Sequence, residues 1–231
     1  MKKKVLITGG NKGIGLECTK MFLDLEYEIF VVARDFANFN IKNVTTITYD
    51  LNDLDNLHTI IEQTGPVDIL INNAGFMQPH IKYDNYPRKD RDKIMNVNLY
   101  SAIELMNLYS KEMKNKNFGR IVNVASIAGQ IGHPDVWYGM SKAALINATK
   151  IYAKLLGEVG IVVNCVAPSP VETDMQAVNS EERKAEFKKS VISKRFADAD
   201  EIAKAVLWLA TDCPEYINGI CIDINNGSYM R

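Results

Sequence analysis

The sequence predicts a doubly wound α/β fold, a parallel sheet with helices on both faces. Three observations carry this expectation. Short β-branched runs alternate with longer amphipathic segments along the whole chain. Several of those runs, such as Val67-Asp68-Ile69-Leu70-Ile71 and Ile161-Val162-Val163, are nearly continuous in apolar residues. Continuous rather than alternating runs fit strands buried on both faces of a parallel sheet. Finally, a glycine-rich turn, Thr8-Gly9-Gly10-Asn11-Lys12-Gly13-Ile14-Gly15, joins the first strand to the first helix. Repeated strand–helix units with right-handed crossovers place helices on both sides of such a sheet.

The elements follow in order. Residues 4–8 read as a strand and 14–25 as a helix. Strands at 28–33 and 44–49 are rich in Val, Ile and Thr. Residues 54–63 read as a helix with Leu54, Leu57 and Ile61 on one stripe, and 67–71 as a strand. Residues 90–114 form one long helix with Ile94, Val97, Leu105, Leu108 and Met113 on its apolar face. A strand at 120–124, a helix at 137–156 and a strand at 161–166 come next. Helices at 181–189 and 201–210 and a last strand at 220–224 complete the chain.

Composition narrows the classes of function. At about 150 residues per domain, 231 residues suit one domain or two small ones, and a single core is feasible at this size. Lys and Arg number 27 against 28 Asp and Glu, a net charge of −1, so no field of one sign points to nucleic acid. Hydrophobic residues at 47% and charged residues at 24% are ordinary for a globular chain and exclude a disordered or collagen-like one. The longest stretches free of charge, 121–134 and 159–171, fall short of the ~18 apolar residues of a membrane span. Met1-Lys2-Lys3-Lys4 leads into an apolar run too short for a signal peptide. Cys18, Cys165, Cys213 and Cys221 include no C-x-x-C pair, so free thiols and a cytoplasmic location are expected. His58, His80 and His133 lack metal-ligand spacing, so no metal site is expected.

Ligands of such sheets bind beyond the carboxyl ends of the strands, so the residues just after each strand matter most. In the first turn, glycines permit a tight bend and close approach to a pyrophosphate at the helix N-terminus. The spacing G-x3-G-x-G is also that of an ordinary glycine-rich turn opening a helix. After the second strand stand Arg34 and Asp35. A basic residue there favours a ribose 2′-phosphate and an acidic one a free 2′-hydroxyl. Lys12 is a second cation able to reach such a phosphate. Asp50-Leu51 follows the third strand and Asn72-Asn73-Ala74-Gly75 the fourth. The two amides suit the tying of neighbouring strands, and Ala-Gly leaves room for a ligand. Ser126 follows the fifth strand, with Tyr138 twelve residues on and Lys142 four further. On a helix the last two share a face. A Lys ammonium beside a phenol lowers its pKa of ~10 toward a useful range, and a Ser hydroxyl can donate to a carbonyl oxygen as charge builds there.

Together these residues resemble the short-chain dehydrogenase/reductase family in its compact branch, over essentially the whole chain. The resemblance implies a Rossmann-type sheet of seven parallel strands in one domain over residues 1–231, with a substrate loop at about 175–193. It implies an NAD(P)H-dependent oxidoreductase passing hydride between nicotinamide and a ketone or secondary alcohol. Its catalytic tetrad maps onto Asn98, Ser126, Tyr138 and Lys142. Tyr138 would be the proton donor, Lys142 its helper and a ribose ligand, Ser126 the carbonyl polariser, and Asn98 the holder of a relay water. Its cofactor contacts map onto Gly9, Asn11, Lys12, Gly13, Ile14, Gly15, Arg34, Asp50, Leu51, Asn73, Ala74 and Gly75. Tyr138, Lys142, Pro168, Val171 and Thr173 complete that set, the last two at the carboxamide. Lys12 and Arg34 match the family's usage for NADP(H), favoured here over NAD(H).

Within the family, residues 197–203, 207–210 and 216–219 are most similar to bacterial 3-oxoacyl-acyl-carrier-protein reductases. A 3-oxoacyl thioester is the implied substrate; sugar, polyol or specialised ketone substrates share the pattern, and a non-catalytic NADP sensor is the alternative of another class. Arg183, Lys184, Lys188, Lys189, Lys194 and Arg195 form either a docking face for an acidic carrier protein or a solvated helix face. Residues 76–78, 130–133 and 175–193 would line the substrate pocket, and the two long helices would build a homo-oligomer, a tetramer or dimer. Two departures stand out: Ser169 replaces the family's usual glycine after Pro168, and Asn225-Asn226 replaces Asp-Gly. If the glycine serves a positive φ, Ser169 is strained or the loop is reshaped.

Overall fold

The computed structural model describes residues 2–78 and 81–231. Seven strands, β1 (Lys4–Thr8), β2 (Glu28–Ala33), β3 (Thr45–Thr48), β4 (Ile69–Asn72), β5 (Gly119–Val124), β6 (Ile161–Pro168) and β7 (Cys221–Ile224), form one sheet in the order β3-β2-β1-β4-β5-β6-β7. Every neighbouring pair is parallel, as the continuous apolar runs predict. The strand order reverses between β1 and β4, which opens a crevice beyond their carboxyl ends.

The side-chain period of two divides each central strand between two cores. On β1, Leu6 faces one side while Val5 and Ile7 face the other. The first core packs under α2 (His58–Thr64), α4 (Ser101–Lys116) and α5 (Val136–Leu156), through Ile60, Leu105, Tyr109 and Leu156. The second packs under α1 (Gly13–Asp24) and α7 (Ala199–Ala210), through Cys18, Phe22, Ile202, Val206 and Leu209. Strand β3 lies at the sheet edge and buries only Ile47.

Two helices differ from expectation. The long helix is α3 (Arg88–Met95) and α4 joined by a π turn at Asn96–Tyr100, where the Ser101 N–H reaches back five residues to the Asn96 carbonyl. A single extra residue in one turn leaves the apolar stripe on either side intact, so periodicity does not register it. The second helix starts at His58, not Leu54. Leu54 and Leu57 pack on the core as their stripe predicts. Asp53 takes the Asn56 amide into a turn instead of a helix, with Nδ2 at 2.9 Å.

Candidate active site

A cleft of about 740 Å³ runs along the carboxyl ends of the strands. Its floor at β1 is the glycine turn. Gly9 and Gly13 have φ of 65° and 54°, in the left-handed region. A Cβ on Gly15 would collide with the Gly9 carbonyl oxygen. Helix α1 begins without a side-chain cap, so its first N–H groups are left for a ligand. These features fit the pyrophosphate of a dinucleotide.

Asn73 braces this turn: its Nδ2 donates to the Thr8 and Gly9 carbonyls at 2.9 and 3.1 Å. The Thr8 hydroxyl accepts from the Asn73 and Ala74 N–H groups, both at 3.0 Å. Asn72 reaches the other way, donating to Asn123, which donates in turn to Thr149. The paired amides thus tie β1, β4, β5 and α5 together.

At the outer end, Arg34, Asp35, Phe36, Phe39, Asp50 and Leu51 line the cleft. Asn11 donates to the Asp35 carbonyl at 3.0 Å and holds this corner. Lys12 lines the cleft too, but its ammonium lies 3.3 Å from Asp174, on the segment after β6. The expected convergence of Lys12 with Arg34 is thus replaced by an ion pair spanning the cleft mouth.

At the inner end Ser126, Tyr138 and Lys142 meet. Ser126, two residues past β5, caps a single 3-10 turn by accepting from the Ala128 N–H at 3.1 Å. Tyr138 stands in the first turn of α5, whose N-cap Asp135 accepts from the Trp137 and Tyr138 N–H groups at 3.1 and 3.0 Å. Lys142, one turn on, donates to the Val124 carbonyl at 2.8 Å, with Nζ 5.9 Å from the Tyr138 ring centre. Burial raises the Tyr138 phenol above its usual range; the neighbouring Ser126 hydroxyl opposes the rise and the Asp135 charge adds to it. Burial also lowers the Lys142 ammonium to about 8. In place of the expected pull of Lys142 on the phenol, burial drives both groups toward neutrality.

Asn98 lies in the π turn and is buried. Its Oδ1 accepts from the Phe76 N–H at 2.7 Å, and Nδ2 donates to the Phe76 carbonyl at 2.9 Å and to Ser141 at 3.1 Å. The side chain therefore pins the cleft wall to α5, with both of its donors engaged by protein.

Pro168 at the end of β6 and Ser169, Pro170, Val171 and Thr173 beyond it line the cleft, and Thr173 packs over Gly13. Ser169 is not in the left-handed region, and its N–H donates to the Ile224 carbonyl at 3.0 Å. The expected strain is therefore absent: hydrogen bonding to β7 holds this turn at a φ open to serine. The left-handed residue is Asn226, with φ of 45°. Its carbonyl and Oδ1 accept from the Ile192 and Ser193 N–H groups at 3.1 and 2.8 Å, which ties residues 192–193 to the turn after β7.

Of the expected pocket residues, Phe76, Met77, Ile131, His133, Met175 and Phe187 line the cleft. Gln130 instead turns to Asp223, and neither it nor Gln78 is among the lining residues. Asp135 escaped motif reading, although an Asp just ahead of a helix is an N-cap signal. His80 lies outside the described residues. Among the described residues no three His, Cys, Asp or Glu side chains gather in metal-binding fashion, and no helix is long and apolar enough to cross a membrane.

A dinucleotide-shaped turn and a Ser–Tyr–Lys set in one cleft define the class of oxidoreductases that interconvert ketones and secondary alcohols. Comparison with known proteins places the chain within that class. A family model described as enoyl-(acyl carrier protein) reductase matches residues 9–228. The 3-oxoacyl-(acyl-carrier-protein) reductase of Haemophilus influenzae is 32% identical over 245 residues, covering 99% of this chain and 98% of that protein. Among solved structures, 4-hydroxyisoleucine dehydrogenase complexed with NADH superposes with a TM-score of 0.91 at 25% identity, covering 98% of each chain. ElxO with NADP bound gives 0.87 at 29% identity, covering 99% of each. The chain belongs to the short-chain dehydrogenase/reductase family.

Proposed function

We propose that the protein is an NADPH-dependent reductase of a 3-oxoacyl thioester, working in one domain that both binds the dinucleotide and carries the chemistry. The observation that carries this reading is the meeting of Ser126, Tyr138 and Lys142 in the cleft that begins at the uncapped start of α1. Gly9, Gly13, Ile14 and Gly15 would hold the pyrophosphate and Asn11 the adjoining corner. Asp50 and Leu51 would meet the adenine, and Arg34, with Lys12 released from Asp174, the 2′-phosphate. Asn73, Ala74 and Gly75 would form the floor, and Pro168, Val171 and Thr173 would seat the carboxamide. Bound there, the nicotinamide supplies a hydride to the carbonyl carbon.

The remaining chemistry belongs to the chain. Ser126 donates a hydrogen bond to the carbonyl oxygen and stabilises the charge that builds on it. Tyr138, kept neutral by burial, gives that oxygen its proton. Lys142 holds the ribose hydroxyls and compensates the phenolate left behind. Asn98 keeps the Phe76 wall in place, and a relay water would rest on its backbone. The basic residues around α6 (Glu181–Ser190) support a carrier-protein partner, although Lys184 pairs with Glu181 and Arg195 with Glu201. Exposed Met140, Ile151 and Leu155 on α5 support a homo-oligomer through the long helices, and a cytoplasmic location suits the free thiols.

A second reading takes NADH. Asp35 beside Arg34 supports it, as does the NADH in the 4-hydroxyisoleucine dehydrogenase structure. The test is oxidation of NADPH and NADH, side by side, with a small acetoacetyl thioester and with Tyr138→Phe. Turnover should favour NADPH and fall by about 10²–10⁴-fold in the variant, with NADPH binding retained. Unchanged turnover in the variant would overturn the mechanism; faster turnover with NADH would select the second reading.

A further inference from the structure

We propose that His133 selects the substrate: its Nε2–H donates to the second oxygen of a 1,3-dicarbonyl compound while Tyr138 and Ser126 engage the first. The proposal rests on the reading of Tyr138 and Ser126 as the site of carbonyl reduction.

The imidazole lines the cleft, with its ring centre 5.3 Å from that of Tyr138. Its tautomer follows from its neighbours. The Asp135 N–H points at Nδ1 from 3.1 Å, and a backbone N–H can only donate. Nδ1 therefore holds the lone pair, and the ring proton sits on Nε2. The Asp135 carbonyl, 3.2 Å from Nδ1, presents a second acceptor there, but protonating Nδ1 would orphan the Asp135 N–H. Burial and the charge of Arg183 lower the pKa of the ring, so the neutral donor persists at neutral pH.

The ring is also fixed in place. Its Cβ sits against the bare backbone of α5, where a Cβ on Gly139 would come within 3.1 Å of it. Asp135, which orients the ring through its N–H, is the residue that caps α5 ahead of Tyr138. Its carboxylate also accepts from the Tyr86 hydroxyl at 3.2 Å. Donor and phenol are thus set by one turn of chain, and their spacing cannot drift independently.

No protein acceptor within the described residues takes the Nε2 proton. The cleft that His133 borders is lined by apolar Phe76, Met77, Ile131, Met175 and Phe187, with Gln176, Asn179 and Ser190 among its polar residues. An N–H beside such walls favours a ligand oxygen that supplies the missing acceptor. With the two ring centres 5.3 Å apart, one small ligand can touch both side chains, and a second oxygen close to the reacting carbonyl is the group that would meet the imidazole. A ketone without that oxygen leaves the donor to solvent and gains nothing from His133.

The test compares ethyl acetoacetate with 2-pentanone on the full-length protein, His133→Phe and His133→Gln. In His133→Phe, kcat/KM for ethyl acetoacetate should fall about ten- to a hundredfold while that for 2-pentanone stays within about twofold. His133→Gln, which keeps an N–H donor, should recover part of the loss. Equal losses on both substrates, or none, would overturn the proposal. A second readout needs no turnover. In Tyr138→Phe loaded with NADPH, the 15N resonance of the His133 Nε2, assigned by its loss in a Tyr138→Phe/His133→Phe double variant, should move with ethyl acetoacetate and not with 2-pentanone. No movement, or equal movement with both, would overturn it as well. If the wild-type protein reduces neither ketone, the reductase reading fails, and the resonance still decides the role of His133.

Discussion

Lys142 is buried to within 3% of full enclosure, and its ammonium has one hydrogen bond, to the Val124 carbonyl. Burial lowers its pKa from the ordinary 10.5 to about 8. The unfolded chain keeps this proton up to 10.5, while the folded chain releases it near 8. Between those values the unfolded state binds more protons, so stability rises with pH. Integrating the two titrations from pH 8 to pH 10 gives a gain of about 2 kcal/mol. Lys142→Met keeps the length of the side chain and removes the charge. It also loses the bond to Val124, a cost that does not vary with pH, because a neutral amine still donates. Urea unfolding followed by the fluorescence of Trp137 and Trp208 at pH 7, 8, 9 and 10 measures both proteins. The stability of wild type minus that of Lys142→Met should climb by about 2 kcal/mol across the window, and other titrating groups cancel in the difference. A difference flat to within about 0.5 kcal/mol would refute the reasoning, because it would mean that water or a counter-charge keeps the folded ammonium at its ordinary pKa.

Two further outcomes follow from the same geometry. Asn98→Ala removes three hydrogen bonds and strands both the N–H and the carbonyl of Phe76; it should cost about 2–3 kcal/mol in urea unfolding and raise KM, and an unshifted midpoint would contradict this. Asp174→Asn frees Lys12 at the cleft mouth, so NADPH should bind about two- to fivefold more tightly by fluorescence titration at low salt, with the gain fading at high salt and NADH unaffected. Equal NADPH affinity at low salt would rule Lys12 out of the phosphate site.

The sheet was legible because burial on both faces leaves a direct mark on composition. Val5, Leu6 and Ile7 feed two different cores, so none of the three can be polar. The meeting of Tyr138 with Lys142 was legible because helical spacing alone sets it. What escaped depends on partners far apart in sequence or on single-residue irregularities. Lys12 meets Asp174 across 162 positions, and no local pattern announces that pair. The π turn around Asn98 adds one residue to a helix whose stripe continues unbroken on both sides. Strain at Ser169 was expected only if that position needs a positive φ, and the structure puts the left-handed conformation at Asn226 instead, fifty-seven positions later by their numbers. The titration of Tyr138 was anticipated from neighbouring positive charge, whereas burial in the cleft, which only packing reveals, dominates it.

The short stretch from β7 onward carries more than the edge of a sheet. Asp223 receives Gln130, which closes the turn that Ser126 opens, and is itself gripped by Arg231. Three residues later Asn226 holds residues 192–193. Gln130 and residues 192–193 are therefore both held by the short stretch that runs from β7 to Asn226. Altering substrate scope by changes within residues 221–227 would act like resetting the gap of a vice: the contact surfaces stay the same and the opening between them changes. A library aimed at larger or smaller ketones gains a second handle there, separate from the lining residues and without disturbing Tyr138 or Lys142.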